Sequence, residues 1–151
     1  MLTRRQSLFL FASVPVAATL APQAFAATPE IYAERGIAID GSDAVAYFAE
    51  EGPVRGSEDY SLMWKGAEWR FANAENLAAF EADPEAFAPQ YGGYCAWAVA
   101  SNYTAATHPN AWSIYEGKLY LNANRRVRSQ WEKDIPGFIE KADANWPSVL
   151  G

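Results

Sequence analysis

The chain repeats part of itself, and this repeat narrows what it can fold into more than any other feature. The segment "WKGAEWRFANAENLAAFEAD", Trp64 to Asp83, lies without a gap over "YEGKLYLNANRRVRSQWEKD", Tyr115 to Asp134, at an offset of 51 residues. Gly66 matches Gly117, Ala72 matches Ala123, Asn73 matches Asn124, Glu81 matches Glu132 and Asp83 matches Asp134. Aromatic residues coincide at Trp64 and Tyr115, Trp69 and Tyr120, Phe80 and Trp131. Each copy reads as a β-hairpin followed by a helix. Gly66 and Gly117 suit a tight turn, where a positive φ costs glycine little. Tyr60, Leu62 and Trp64 alternate with polar neighbours, as do Trp112 and Ile114, which predicts one buried face per hairpin. Asn73 and Asn124 stand where a helix needs an N-cap. Leu77 with Phe80, and Val127 with Trp131, then give the helices an apolar stripe.

Around the copies the sequence predicts a strand near Ile37 to Asp40, a short helix from Asp43 to Glu50 capped by Ser42, a further turn of helix opening at Pro84, and a final helix near Phe138 to Asn145. The sum is a small single α+β domain of two hairpin-plus-helix units with a C-terminal helix. The connection from Pro89 to Asn110 holds "YGGYCAWAVA" and the only cysteine, Cys95. It falls outside the repeat as aligned, so it reads as an insertion of the kind in which functional residues collect.

Arg4 and Arg5 precede an apolar run from Leu8 to Leu20 and the small residues Ala24 to Ala26. This pattern predicts a secretory signal over residues 1–26, leaving 27–151 as the mature domain in the periplasm. The run is shorter than the roughly 20 residues that span a bilayer, so no transmembrane segment is expected in the mature chain. The stretch "TRRQSLFL" further resembles a twin-arginine export signal. The chain carries 12 basic and 18 acidic residues, and losing Arg4 and Arg5 makes the mature domain more acidic still. That balance excludes nucleic acid as a partner, since phosphates require the opposite sign. Arg125, Arg126 and Arg128 read as a solvated helix face, with Arg128 and Glu132 spaced for an i,i+4 pair. One cysteine cannot form an internal disulfide, so stability must come from packing of the six Trp, eight Tyr and eight Phe.

The first copy and its continuation, "RFANAENLAAFEADPEAF", resemble the YHS domain, with Phe71, Phe80, Asp83, Pro84, Glu85 and Phe87 in register with that family's pattern. Together with "GSDAVAYF", "YGGYCAWAV" and "WEKDIPGFIEKADANWPSVL", the chain is similar to the bacterial exported YHS domain-containing (seleno)proteins. The resemblance implies a treble-clef or YHS-like fold and, for some relatives, selenocysteine at a position such as Cys95. It also implies a metal site made by two cysteines, but here those positions are Ala72 and Asn76, so the usual cysteine pair is absent.

Cys95 is therefore the candidate functional atom, in the first turn of a short helix after Gly92 and Gly93. The helix dipole there lowers a thiol pKa, and the apolar neighbours Tyr94, Ala96, Trp97 and Val99 raise it. Packing, redox chemistry and metal ligation all remain open at this level. A soft metal such as copper would draw on Cys95, His108 and Met63; a closed zinc site needs four ligands that one chain does not supply. Tyr94 and Trp97, with other aromatics, are candidates for lining a pocket beside the thiol. A Cys-His hydrolytic pair finds no support in the spacing. The leading expectation is a binding or redox-support role, not clearly enzymatic, toward a protein partner or small ligand. The alternatives are a thiol oxidoreductase or peroxide-reactive protein, and a structural or partner-binding module with an inert core cysteine.

Overall fold

The computed structural model describes residues 15–19, 27–49 and 52–151. The arginines of the export signal and its predicted cleavage site lie outside the described residues. The two repeat copies form the same unit twice. In the first, β3 (Ser57–Trp64) pairs antiparallel with β4 (Ala67–Phe71), and in the second β5 (Trp112–Tyr115) pairs with β6 (Lys118–Leu121). Their registers coincide at the repeat offset, with Leu62 opposite Trp69 and Ser113 opposite Tyr120. Both hairpins close through two left-handed residues, Lys65 (φ 47°) with Gly66 (φ 79°) and Glu116 (φ 48°) with Gly117 (φ 75°). That geometry matches strand twist, and glycine at the second position removes the Cβ that would oppose it.

Each β-hairpin then leads into a capped helix. Asn73 accepts the backbone N–H of Asn76 at 2.8 Å and opens α1 (Ala74–Ala82); Asn124 accepts that of Val127 at 2.9 Å and opens α4 (Arg125–Trp131). Asp83 and Asp134 interrupt the helical runs in matching non-helical conformations, φ −153° and −154°, the second at the end of a 3₁₀ turn over Glu132–Asp134. The first break leads to α2 (Pro84–Phe87), the second to the longer α5 (Ile135–Asn145), which packs on α3 (Ala96–Ala100). Ahead of the first copy, β1 (Ala33–Glu34) and β2 (Ile37–Ala38) extend its sheet in the order β1-β2-β4-β3, with β2 parallel to β4. No helix among the described residues is long and apolar enough to cross a membrane.

Four details differ from the sequence reading, the first being Tyr60, expected on the buried face of its hairpin but 37% exposed. The strand near Ile37 ends at Ala38, where a left-handed turn over Ile39–Gly41 takes over. The helix expected from Asp43 shrinks to one 3₁₀ turn, Ala46–Phe48, and the side chain that serves the chain leading into it is Asp43 rather than Ser42: Asp43 Oδ1 accepts the N–H groups of Val45 and Ala46 at 2.9 and 3.1 Å. The expected inward face of β5 holds only in part: Trp112 packs against the first core cluster, but Ser113 is buried while Ile114 is 37% exposed. Ser113 can be buried because its hydroxyl donates to Glu132 at 2.9 Å and accepts from Arg128. The expected Arg128–Glu132 pair forms beside it at 2.9 Å.

The apolar residues gather in two clusters. In the first, Phe80 is fully enclosed with its ring 4.9 Å from Trp69, 5.0 Å from Phe71 and 5.6 Å from Trp64. Trp131, its repeat counterpart, anchors the second against Tyr120 at 5.1 Å. Strand β6 joins them, since Leu119 and Leu121 belong to the first cluster and Tyr120 to the second. A strand buried on both faces loses the alternation by which a half-exposed strand is recognised. Phe80→Ala empties the contact point of three rings and is expected to cost about 3–5 kcal/mol, whereas Asn124→Ala, removing one exposed cap, should cost about 1 kcal/mol. Urea unfolding of the two variants checks the ratio.

Candidate functional site

Cys95 stands at the N-cap of α3, 1% exposed. Its chain entry is forced by a reversal in which Tyr91, Gly92 and Gly93 are all left-handed, with φ of 58°, 64° and 85°. Gly92 is obligatory there, because a Cβ would fall 1.7 Å from the carbonyl oxygen of Glu30. Cys95 N–H donates to the carbonyl of Ala105 at 3.1 Å, and Sγ lies 3.5 Å from Oδ1 of Asn122. The same oxygen accepts Trp97 N–H at 3.1 Å. Asn122 is itself fully buried, held by backbone bonds to Ala111 and His108, and its Nδ2 has no hydrogen-bond partner among the described residues. Burial pushes the Cys95 thiol up, while backbone hydrogen bonds from Ala98, Ala123 and Trp97 favour the thiolate and pull it down; burial wins. At neutral pH the sulfur carries its proton, and Asn122 is the acceptor it faces.

The donors around the sulfur have a counterpart in the first half. Asp43, also fully buried, accepts Val45 N–H and Ala46 N–H through Oδ1, and Ala72 N–H and Asn76 Nδ2 through Oδ2, the last two at 2.8 Å. Residues two and three beyond Asp43, plus Ala72, correspond to residues two and three beyond Cys95, plus Ala123. Ala72 and Ala123 are repeat partners. The correspondence runs further. Ile39, Asp40 and Gly41 are left-handed at φ 52°, 48° and 79°, as are residues 91–93. Asp43 N–H donates to Val54 O at 2.8 Å as Cys95 N–H does to Ala105 O, and Gly56 N–H reaches Gly41 O at 2.8 Å where Thr107 Oγ1 reaches Gly93 O at 2.7 Å. "GSDAVA" and "GYCAWA" are thus equivalent segments, offset by 52 residues instead of 51.

Cys95 therefore lies inside the second copy of a longer repeat, not in an insertion, and it occupies the place of a hydrogen-bonded carboxylate. The fourth partner differs between the copies, a donor to Asp43 in the first and an acceptor from the Cys95 sulfur in the second. Asn76, which serves Asp43, is replaced by Val127, while the buried Phe71 is replaced by Asn122, whose amide meets the sulfur. Asn122 escaped the sequence reading because nothing marks a lone asparagine at a strand end. Its signal was the mismatch with Phe71 in an otherwise aromatic or aliphatic column.

The remaining candidates lie as follows. Met63 is 67% exposed on β3, and the exposed His108 uses Nδ1 to accept the N–H of Asn110 at 3.1 Å. Among the described residues no group of three or more His, Cys, Asp or Glu side chains is arranged to hold a metal ion. His108 meets the site only through its backbone N–H, which donates to Asn122 O at 3.1 Å. Tyr94 turns its hydroxyl to Pro29 O at 2.7 Å and lines a pocket with Tyr32 and Lys65, and Trp97 lies tilted against Phe138 at 4.8 Å. Ala72 and Asn76, where the resemblance would put cysteines, converge on Asp43 through hydrogen bonds.

Asp43→Ala should strand three backbone N–H groups and one amide, costing more than about 3 kcal/mol if each stranded donor costs roughly 1 kcal/mol or more. Asp43→Asn, which keeps one oxygen, should cost distinctly less, and chemical denaturation separates the two. In comparisons with known proteins, no family model, no curated protein and no solved structure matches this chain.

Proposed function

We propose that this protein is an exported YHS-like module that works through Cys95 as a guarded thiol, in a binding or redox-support role in the periplasm. One observation carries the proposal: the sulfur stands at the place that, in the first half, is held by the carboxylate of Asp43 in a nest of backbone N–H donors, with the chain around both bent the same way. A packing cysteine needs no such donors. It also needs no fully buried asparagine beside it with an unpartnered Nδ2, an arrangement that costs roughly 1–3 kcal/mol. A thiolate would accept those donors. Burial opposes this charge, so the thiol is neutral in the closed protein and becomes reactive when the chain around it opens.

A second reading is favoured by the 1% exposure of Cys95: the thiol is a core residue of a structural or partner-binding module. The two readings order the same variants oppositely. If the nest accepts an anion, Cys95→Asp at pH 7 is more stable than Cys95→Ala, because the carboxylate reproduces the first half. If the site is only apolar packing, Cys95→Asp buries an unpaired charge and is the less stable of the two. Urea denaturation at pH 7 and at pH 3, where the aspartate of the nest would lose its advantage, decides between them. Intact mass of the protein taken from the periplasm without reductant, compared with Cys95→Ser, then reads what the thiol carries.

The thiol also predicts a pH dependence. Its folded pKa is raised from the ordinary 9.0, so the folded state binds the proton more tightly than the unfolded chain does. The associated stability is complete below pH 9 and is lost as pH rises through the folded value. Wild type should therefore lose stability in this alkaline range faster than Cys95→Ser. Buried Tyr47 and Tyr91, whose hydroxyls burial also pushes up, add the same slope to both proteins and cancel in the difference.

A further inference from the structure

We propose that the cleft between the β5–β6 hairpin and α5 is a binding site for a primary ammonium group carried on a short apolar or aromatic body. The cleft encloses about 500 Å³, room for a small organic cation. Glu116, Glu140 and Asp143 line it against one cation, Lys118. Carboxylates alone would signify only a solvated acidic surface. The floor of the cleft adds an independent feature. Tyr120 lines it while being only 3% exposed, its ring fixed by Trp131 at 5.1 Å and Tyr91 at 6.0 Å. The hydroxyls of Tyr91 and Tyr94 donate to Asp143 and Pro29, but that of Tyr120 has no hydrogen-bond partner among the described residues.

The position of that hydroxyl is fixed by its surroundings. Burial first, then the charges of Asp143 and Glu116, push Tyr120 up to about 12, so the hydroxyl sits in the field of two carboxylates of the same cleft. An ammonium N–H can donate to this oxygen and to Asp143, whose Oδ1 is already engaged by Tyr91 at 2.8 Å, leaving Oδ2 for the ligand. Pro136 and Ile139 line the cleft from α5 and offer an apolar surface to the rest of the molecule. The Tyr115 ring adds a face of the kind that attracts cations. The site uses neither Cys95 nor Asn122, so it stands or falls independently of the thiol.

The test is calorimetric and NMR titration of the full mature protein with phenethylammonium at low salt, with neutral 2-phenylethanol as control. The expected result is saturable binding of the ammonium, at least about tenfold tighter than the alcohol, with amide shifts confined to β5, β6 and α5. The exposed pair Glu116→Gln/Glu140→Gln should weaken binding by about tenfold with thermal unfolding unchanged. Tyr120→Phe should weaken it by a smaller factor while the alcohol is unaffected. Equal binding of alcohol and ammonium, absence of saturation, or shifts mapping elsewhere would each overturn the assignment.

Discussion

Two chain reversals in this protein leave backbone N–H groups pointing inward with no strand or helix to receive them. At the first, Val45, Ala46 and Ala72 come from an N-terminal turn and the exit of a hairpin, and the Asp43 carboxylate collects all three. Buried donors must be satisfied, and here a side chain receives them. The arrangement fixes where the turn meets the hairpin and, through Asn76, where α1 begins. The second half repeats the same reversals and therefore inherits the same need. Cys95 meets it with sulfur, a much weaker acceptor, and Asn122 makes up part of the difference by accepting Trp97 N–H at 3.1 Å.

The parts of this architecture that rest on local chemistry were legible in the sequence. Glycine at 66 and 117 and asparagine at 73 and 124 announced turn and cap, and both copies use them as the spacing implied. Long-range terms were not legible. The face of β5 was misjudged in part, because Ser113 is buried by bonds to Glu132 and Arg128 that only the fold assembles. Strand β6 separates the two clusters, with Leu119 and Leu121 on one side and Tyr120 on the other, a role that only the fold assigns. The repeat itself was cut short by one residue of loop. Asp43 to Val54 and Cys95 to Ala105 close equivalent hydrogen bonds across loops of different length, so an ungapped comparison passes the equivalent segments at the wrong offset.

That single-residue difference also hid the counterpart of the candidate site. Placed in an insertion, Cys95 invites comparison with exposed nucleophiles and with metal ligands gathered from loops. Placed beside its counterpart Asp43, it is a substitution at a position that three backbone donors address. Ala72 and Asn76 then cease to be vacancies left by missing cysteines and become partners of a carboxylate.

The exchange of carboxylate for thiol changes what the same donors can do. A carboxylate in such a nest is an anion whose charge-assisted hydrogen bonds offset its desolvation, and it serves as a permanent clamp between turn, hairpin and helix. A thiol at that place accepts weakly while neutral, so the second clamp is softer than the first and its donors are only partly satisfied. Loss of the proton would strengthen the contacts from backbone N–H groups but give up the one to Asn122 Oδ1, and burial makes that loss costly. The two terms oppose each other at one atom, and the balance is set by solvent access. Any motion that admits water to Cys95 lowers the burial cost while the N–H groups of Trp97 and Ala98, on the same short helix, travel with the sulfur. Reactivity would then be coupled to opening of this segment, which is how a fully enclosed thiol can be guarded at rest and still available to chemistry.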